Sequence, residues 1–398
     1  RADRFIPAGT QTYSKARSQF PAIAPRFAFE GQGARVLCSD GRWYTDWTAA
    51  LGPIVLGYRH PVVQAAVHRA VENGPTFGLP TGLEGEVAEQ LVELIPCAEQ
   101  VRFGKNGSDV TSAAVRAARA LTGRDLIISD GYHGWQDWSC ANPSGIPREV
   151  TRLTVELAHA QELLRIPIWN HQLRNVAALI VEPDILERQQ PGSLAELRSA
   201  CDNHGIILIF DEVLTGFRLA LGGAQEYFGV TPDLACFAKA MANGYSCSAV
   251  VGTKAAMEPF AGGVGYSTTF GGETIGLAAA AATISVLRSE PVIEHLWRIG
   301  KQLQDGWNTI ARELDVDVQC EGFPPRSVIR YPSFEVKTLI LERMWERRHM
   351  FTVGFTPVFA HSNLDVESVL EASRYALSSY ANGERADGRL VSPVFRKP

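Results

Sequence analysis

Between residues 100 and 240 the chain repeats one pattern: a short apolar run without alternation, a polar group, then a stretch with helical spacing. The runs are residues 101–103, 126–128, 177–181, 206–210 and 234–237. A strand buried on both faces loses the alternation of a half-buried one, and intervening helices join parallel neighbours. Residues 111–121 and 193–203 have the spacing of such helices. Any single run could belong to a helix, but five in succession predict a sheet. The expected fold class is α/β, with a large, mainly parallel sheet covered by helices.

The flanks read differently. Residues 41–47 alternate like a hairpin strand, 297–314 have helical spacing, 327–331 read as a strand, and 365–380 as a closing helix capped by Asp365. These elements predict a small α+β domain built from both termini. Residues 1–60 would be the N-terminal segment joining it, 61–290 the large domain, and 291–398 the C-terminal part of the small one. The longest apolar stretch, 274–287, is rich in alanine, too short for a bilayer, and reads as a buried helix.

Each apolar run ends in chemistry. Gly104-Lys105-Asn106-Gly107-Ser108-Asp109 follows the first, Gly131-Tyr132-His133-Gly134 the second, Glu182 the third, Asp211-Glu212 the fourth and Lys239 the fifth. Ligands in open α/β sheets bind beyond the carboxyl ends of the strands, so these groups describe one site. Lys239 is one of seven lysines and lies between Phe237-Ala238 and Ala240-Met241, a poor setting for a solvated side chain. A desolvated amine suits a Schiff base, and a carboxylate at Asp211 would keep a pyridine nitrogen protonated. The pair points to pyridoxal 5′-phosphate (PLP), with Val213 facing the ring.

Gly107 permits close backbone approach, and the amides of Ser108 and Asp109 with the Ser108 hydroxyl could hold a phosphate. The plainer alternative is a helix N-cap at Ser108, with Asp109 as a first-turn acid. Tyr132 stacks on a flat cofactor or is a core aromatic, and His133 joins it in the cofactor set. Glu182 orients a neighbour or is a buried carboxylate with partners of its own.

Composition narrows the class. A net charge of −5 over 398 residues leaves no footprint for nucleic acid or an anionic membrane. The seven cysteines are scattered without a CxxC pair, which reads as reduced thiols in the cytoplasm rather than a metal or disulfide framework. Arg1-Ala2-Asp3-Arg4-Phe5 shows no apolar signal-peptide core. No GxGxxG follows an early strand, which argues against a nicotinamide dehydrogenase.

The ordered set resembles the class III aminotransferases, PLP enzymes of fold type I, and within them the glutamate-1-semialdehyde aminomutase-like branch. The resemblance runs from Pro7 to Leu377 and rests on residues 41–46, 56–61, 132–134, 211–218 and 237–244. It implies that Lys239 binds PLP, Asp211 pairs with the pyridine nitrogen, Tyr132 stacks on the ring, and Gly107 and Ser108 hold the phosphate. Thr269 matches the threonine that reaches the phosphate of the neighbouring subunit, so the resemblance implies a homodimer with shared active sites.

Departures from the family bear on substrate. Asn106-Gly107-Ser108-Asp109-Val110 stands where it reads Ser-Gly-Thr-Glu-Ala, and Gly271-Gly272-Glu273-Thr274 where it reads Ser-Gly-Asn-Pro. Lys15 replaces the arginine with which the aminomutases bind a substrate carboxylate, and a point charge does not replace a planar fork. Ala360-His361-Ser362-Asn363 occupies the region where other members carry such an arginine. These departures point away from a typical α- or ω-amino acid. The expected activity is transfer of an amino group from a small-molecule donor to a small polar carbonyl acceptor, hydroxylated or sugar-like. Tyr13, Lys15, Trp135 and Glu273 are its candidate substrate residues. The alternatives are a 2,1-aminomutase of the glutamate-1-semialdehyde kind, a PLP epimerase or decarboxylase, and a non-catalytic binding protein of the same fold. Loss of Lys239 or Asp211 would mark the last.

Overall fold

The computed structural model describes residues 2–140, 142–156, 173–185 and 191–392. Three antiparallel strands open it: β1 (Ala28–Gln32), β2 (Arg35–Cys38) and β3 (Trp43–Asp46). Gly41, at φ +75°, turns the chain between β2 and β3 in left-handed backbone that costs glycine little. Helices α1 (Pro61–Asn73) and α2 (Gly82–Leu94) then lead into the large sheet.

Its strands are β4 (Gln100–Gly104), β5 (Leu126–Asp130), β6 (Thr154–Glu156), β7 (Val176–Val181), β8 (Ile207–Asp211), β9 (Leu234–Phe237) and β10 (Ser248–Gly252). Their order is β4-β10-β9-β8-β7-β5-β6; β10 is antiparallel to both neighbours and the other pairs are parallel. All five apolar runs are strands of this sheet, and β7 is buried at every position. The pattern does not anticipate β6 or β10. Ala249-Val250-Val251 is as apolar as the other runs, but only the single 3-10 turn Lys239–Ala242 separates it from β9, and an antiparallel neighbour needs no crossover helix. Helix α3 (Gly107–Thr122) lays Val110, Ala113, Ala114, Ala117 and Ala118 against residues of β7, β8 and β9. Alanines let the helix lie close to the strands; larger side chains there would cost roughly 1–3 kcal/mol in overpacking.

Beyond β7 come α4 (Ser193–His204), α5 (Ala224–Phe228) and α6 (Thr274–Ser289), the predicted alanine-rich buried helix. The chain closes with α7 (Val292–Glu313), the hairpin β11 (Gln319–Phe323) and β12 (Arg326–Arg330), α8 (Phe334–Glu346), β13 (His349–Met350) and α9 (Asn363–Ala381). β13 adds in parallel to β3 to give a sheet ordered β1-β2-β3-β13. The cap of α9 is Ser362, not Asp365. Asp365 is the third helical residue and closes a capping box, accepting from the Ser362 N–H at 2.8 Å. The chain divides into one unit of Arg1–His60 with Glu294–Pro398 and another of Pro61–Ile293. Among the described residues no single helix is long and apolar enough to cross a membrane.

The first unit closes its core over two histidines. Trp47 stacks on His361, with centroids 3.9 Å apart, and its Nε1 donates to His349 Nδ1 at 3.1 Å. His361 Nδ1 accepts from the Val358 N–H at 2.9 Å. Burial, despite the nearby charge of Asp365, pulls the pKa of His349 down to about 4 and that of His361 to about 3.

Candidate active site

Register in the large sheet aligns the ends of its strands. Gly104 pairs with Ser248, Phe237 with Ala249, Cys236 with Asp211, Phe210 with Val181, and Val181 with Asp130. The groups that follow these positions therefore share one edge: Gly107 and Ser108 after β4, Tyr132 and His133 after β5, Glu182 after β7, Asp211 ending β8 and Lys239 after β9.

Asp211 is 5% exposed. His133 Nδ1 donates to its Oδ2 at 2.8 Å, and the Val213 N–H donates to its Oδ1 at 3.1 Å. A carboxylate has about four acceptor positions. Asp211 thus keeps room for a further donor. The His133 ring lies parallel to Trp138, and its carbonyl accepts from Thr111 Oγ1 at 2.7 Å. Burial alone would lower the His133 pKa; the hydrogen bond and charge of Asp211, with Glu182 further off, outweigh it and hold the pKa above its ordinary value. Sequence placed His133 in the cofactor set, whereas its ring contacts are Asp211 and Trp138. Its Nε2 is buried without a partner among the described residues.

The loop between β4 and α3 differs from the capping reading of Ser108. The N-cap of α3 is Asn106, and Gly107 and Ser108 are its first two helical residues. Asp109 Oδ2 accepts from the N–H groups of Asn106 at 2.7 Å and Lys105 at 3.1 Å. The Asp109 amide, expected to help hold a phosphate, instead donates to Asn106 O at 3.1 Å and to the Asn106 side chain, and its carboxylate is engaged by the loop itself. The amides of Gly107 and Ser108 have no acceptor within the helix and lie at its positive end. A Cβ on Gly107 would lie 2.9 Å from Val213 Cγ1, and one on Gly134, at φ +116°, would overlap Ser108 Cβ. The two glycines let the loops after β4, β5 and β8 close on one another.

Lys239 adopts φ +44°, left-handed backbone that costs a non-glycine residue about 1–3 kcal/mol and persists only where neighbours enforce it. Ala240, Met241 and Ala242 beyond it are buried, while Lys239 itself is half-buried. Tyr132 is 47% exposed and so is no core aromatic. Its N–H donates to Glu182 Oε1 at 2.8 Å, which gives the half-buried Glu182 an orienting contact. Trp135, in the same loop, is 68% exposed. Glu212, next to Asp211, belongs to the scaffold. It accepts from Ala224 N–H at 2.6 Å, Gln225 N–H at 3.1 Å and Thr215 Oγ1 at 2.9 Å, and burial raises its pKa to about 7.

Other expected residues are carried by other elements. Thr269 is exposed on the segment before α6. Glu273 is the N-cap of α6, accepting from Ile275 and Gly276 and pairing with Lys105. Its carboxylate is therefore engaged within its own subunit. Tyr13 and Lys15 are exposed on the single turn Tyr13–Lys15 of the first unit. The segment 360–363 offers no cation: His361 is sealed against Trp47, Ser362 caps α9, and Asn363 Oδ1 accepts from Arg298 at 2.7 Å.

The residues present fit PLP. Bare amides and two tightly packed glycines form an anion cradle, and a buried carboxylate with spare capacity can take a pyridinium N–H. A lysine stands at the next strand end. A sequence model of the family described as aminotransferase class-III matches residues 18–322. The chain belongs to this family. As a class III aminotransferase it is a PLP-dependent enzyme of fold type I. It is 38% identical to a glutamate-1-semialdehyde 2,1-aminomutase of Syntrophobacter fumaroxidans, covering 94% of each chain. It is 33% identical to a 3-aminobutyryl-CoA aminotransferase of Cloacimonas acidaminovorans, covering 95% of each. Among solved structures, the PLP form of the FumI protein of Sphingopyxis sp. MTA144 matches this class III aminotransferase with a TM-score of 0.90. The two are 27% identical over 98% of this chain and 97% of that one. An omega-transaminase from Sphaerobacter thermophilus matches with a TM-score of 0.85 and 27% identity, over 96% of each chain.

Proposed function

We propose that this class III aminotransferase moves an amino group from a small-molecule donor to a small polar carbonyl compound, hydroxylated or sugar-like. The observation that carries the reading is the edge at which Lys239, the Asp211–His133 pair and the bare amides of Gly107 and Ser108 follow neighbouring strands. PLP, when bound, supplies an electron sink for the carbanion next to the amine. Lys239 would hold the aldehyde end of the cofactor and, once free, would serve as the amine that moves a proton at the substrate carbon. Asp211 would keep the pyridine nitrogen protonated, with His133 orienting that carboxylate. Gly107 and Ser108 would hold the phosphate, and Tyr132 and Val213 would pack against the ring.

In a homodimer the partner subunit's Thr269 completes the phosphate site. Seven free cysteines, six of them buried, support a reducing compartment such as the cytoplasm. The engaged segment 360–363 and Lys15 support a substrate other than a typical amino acid. Lys15→Ala should raise KM roughly ten- to a hundredfold, the effect of one charged hydrogen bond, and leave PLP affinity unchanged. An unchanged KM would remove Lys15 from substrate binding.

A second reading, the 2,1-aminomutase, is favoured by the 38% identity to such an enzyme. A donor and acceptor screen that follows cofactor absorbance separates the two. Amino-group transfer should require an added donor and a separate carbonyl acceptor. Turnover of a single amino-carbonyl compound without donor would overturn the transferase reading.

A further inference from the structure

An ion pair unused by the mechanism above sits at the root of the phosphate loop. Lys105 lies between Gly104, the last residue of β4, and the N-cap Asn106. Its ammonium pairs with the Glu273 carboxylate, each side chain 15% exposed, and donates to Ser246 O at 2.9 Å. Ser246 returns the bond, its Oγ donating to Lys105 O at 3.0 Å. Glu273 in turn accepts from the Ile275 N–H at 2.9 Å and the Gly276 N–H at 2.7 Å. Gly276 leaves the space for this contact, since a Cβ there would collide with Ser246 O.

Lys105 thus ties together three segments: the phosphate loop, the stretch between Lys239 and β10, and the segment that carries Thr269 and ends at Glu273. The bound cofactor would touch the first two, while in the dimer the third would carry its Thr269 to the neighbouring site. Charge matters as much as tethering. Asp109 sets one carboxylate in the first turn beside the amides that must accept a phosphate, and Lys105 neutralises a second, Glu273, at the root of the loop. A largely sealed pair is costly to break, because the surviving partner keeps an uncompensated charge.

We propose that Lys105 is a positioning residue for the cofactor phosphate. Through Ser246 and Glu273 it fixes the loop whose amides take the phosphate, and it neutralises the Glu273 charge that would oppose it. This rests on the PLP reading above. The test compares dissociation constants of PLP and of pyridoxal, which lacks the phosphate, by cofactor absorbance, together with the melting temperature of the apo protein. Lys105→Met should weaken PLP by at least about tenfold, leaving pyridoxal within about twofold. Glu273→Gln should cost less, since the charge it leaves is positive, and the double variant should bind PLP better than Lys105→Met alone. Unchanged PLP affinity in Lys105→Met, or equal losses for PLP and pyridoxal, would overturn the proposal. Should Lys105→Met not fold, Ser246→Ala keeps the ion pair and removes one bond of the tether. It should weaken PLP roughly two- to tenfold and spare pyridoxal, and no change in PLP affinity would overturn the proposal. If the PLP reading itself is wrong, the parent protein will bind neither ligand, which is a separate outcome.

Discussion

His133 and His361 are both buried, one in each unit, and the protein treats them in opposite ways. His133 donates to the Asp211 carboxylate and is held above its ordinary pKa. His361 accepts from a backbone N–H, lies flat on Trp47 and is pulled far below it. Burial is the same; the partner decides. An imidazole facing a carboxylate can hold a proton, while one whose acceptor nitrogen faces an N–H is locked neutral. The contrast extends to the surroundings. The strand edge of the large sheet keeps acceptor capacity and bare amides in reserve, whereas in the core of the first unit Trp47, His349 and His361 engage one another and a backbone N–H. Damage to the edge should therefore show in chemistry, and damage to the other core in stability.

The sharpest break is at Lys239. Lys239→Ala should abolish borohydride-fixed cofactor label and all transfer while leaving the melting temperature of the apo protein in place; label on another lysine would refute the assignment. Asp211→Asn should keep PLP but lower kcat by about a hundredfold or more, at least ~3 kcal/mol in the barrier. His133 would then lose the partner that raises it, and its titration, followed by NMR, should move down towards that of His361. Near-normal kcat would mean that Asp211 does not meet the ring nitrogen.

The other core should respond to acid. His349 and His361 titrate in the folded chain at about 4 and about 3, against roughly 6.5 unfolded. Between those values the unfolded chain binds more protons, so stability rises with pH and is lost as pH falls below about 6.5. These shifts correspond to on the order of 3 kcal/mol for His349 and about 5 for His361. His361→Phe should flatten the fall of melting temperature between about pH 6.5 and 4. An unchanged slope would show that another group governs it. The smallest effect is expected from Thr111→Val, which removes the bond to His133 O and should cost about 1 kcal/mol of stability with little change in kcat. A loss of kcat on the scale of Asp211→Asn would show that the loop, not the strand end, sets the His133–Asp211 pair.

The strands of the large sheet were legible because burial on both faces writes an unbroken apolar run. β10 escaped because the reading relied on helices as separators, and an antiparallel neighbour needs none. At the site, Asp211 and Lys239 stood out as charges ending apolar runs. The His133–Asp211 bond joins residues 78 apart, and no local pattern encodes which imidazole meets which carboxylate. Capping failed by small steps: Asn106 rather than Ser108, and Ser362 rather than Asp365. Each stretch holds several residues able to cap, and the choice depends on where the preceding segment delivers the chain. Glu273 was read as a substrate residue, and nothing local showed its pairing with Lys105, 168 residues away.

The place of β4 at the margin of the sheet has a consequence for biogenesis. Its strand partner among the described residues is β10, so the phosphate loop leaves the ribosome long before the strand that seats it. At 5–20 residues per second, the roughly 150 residues between them take on the order of ten seconds to make. During that interval β4 is an unpaired edge, open to mispairing or to a chaperone. Seating of the loop after β4 then waits for β10, and the nascent chain must reach that point with the edge unpaired.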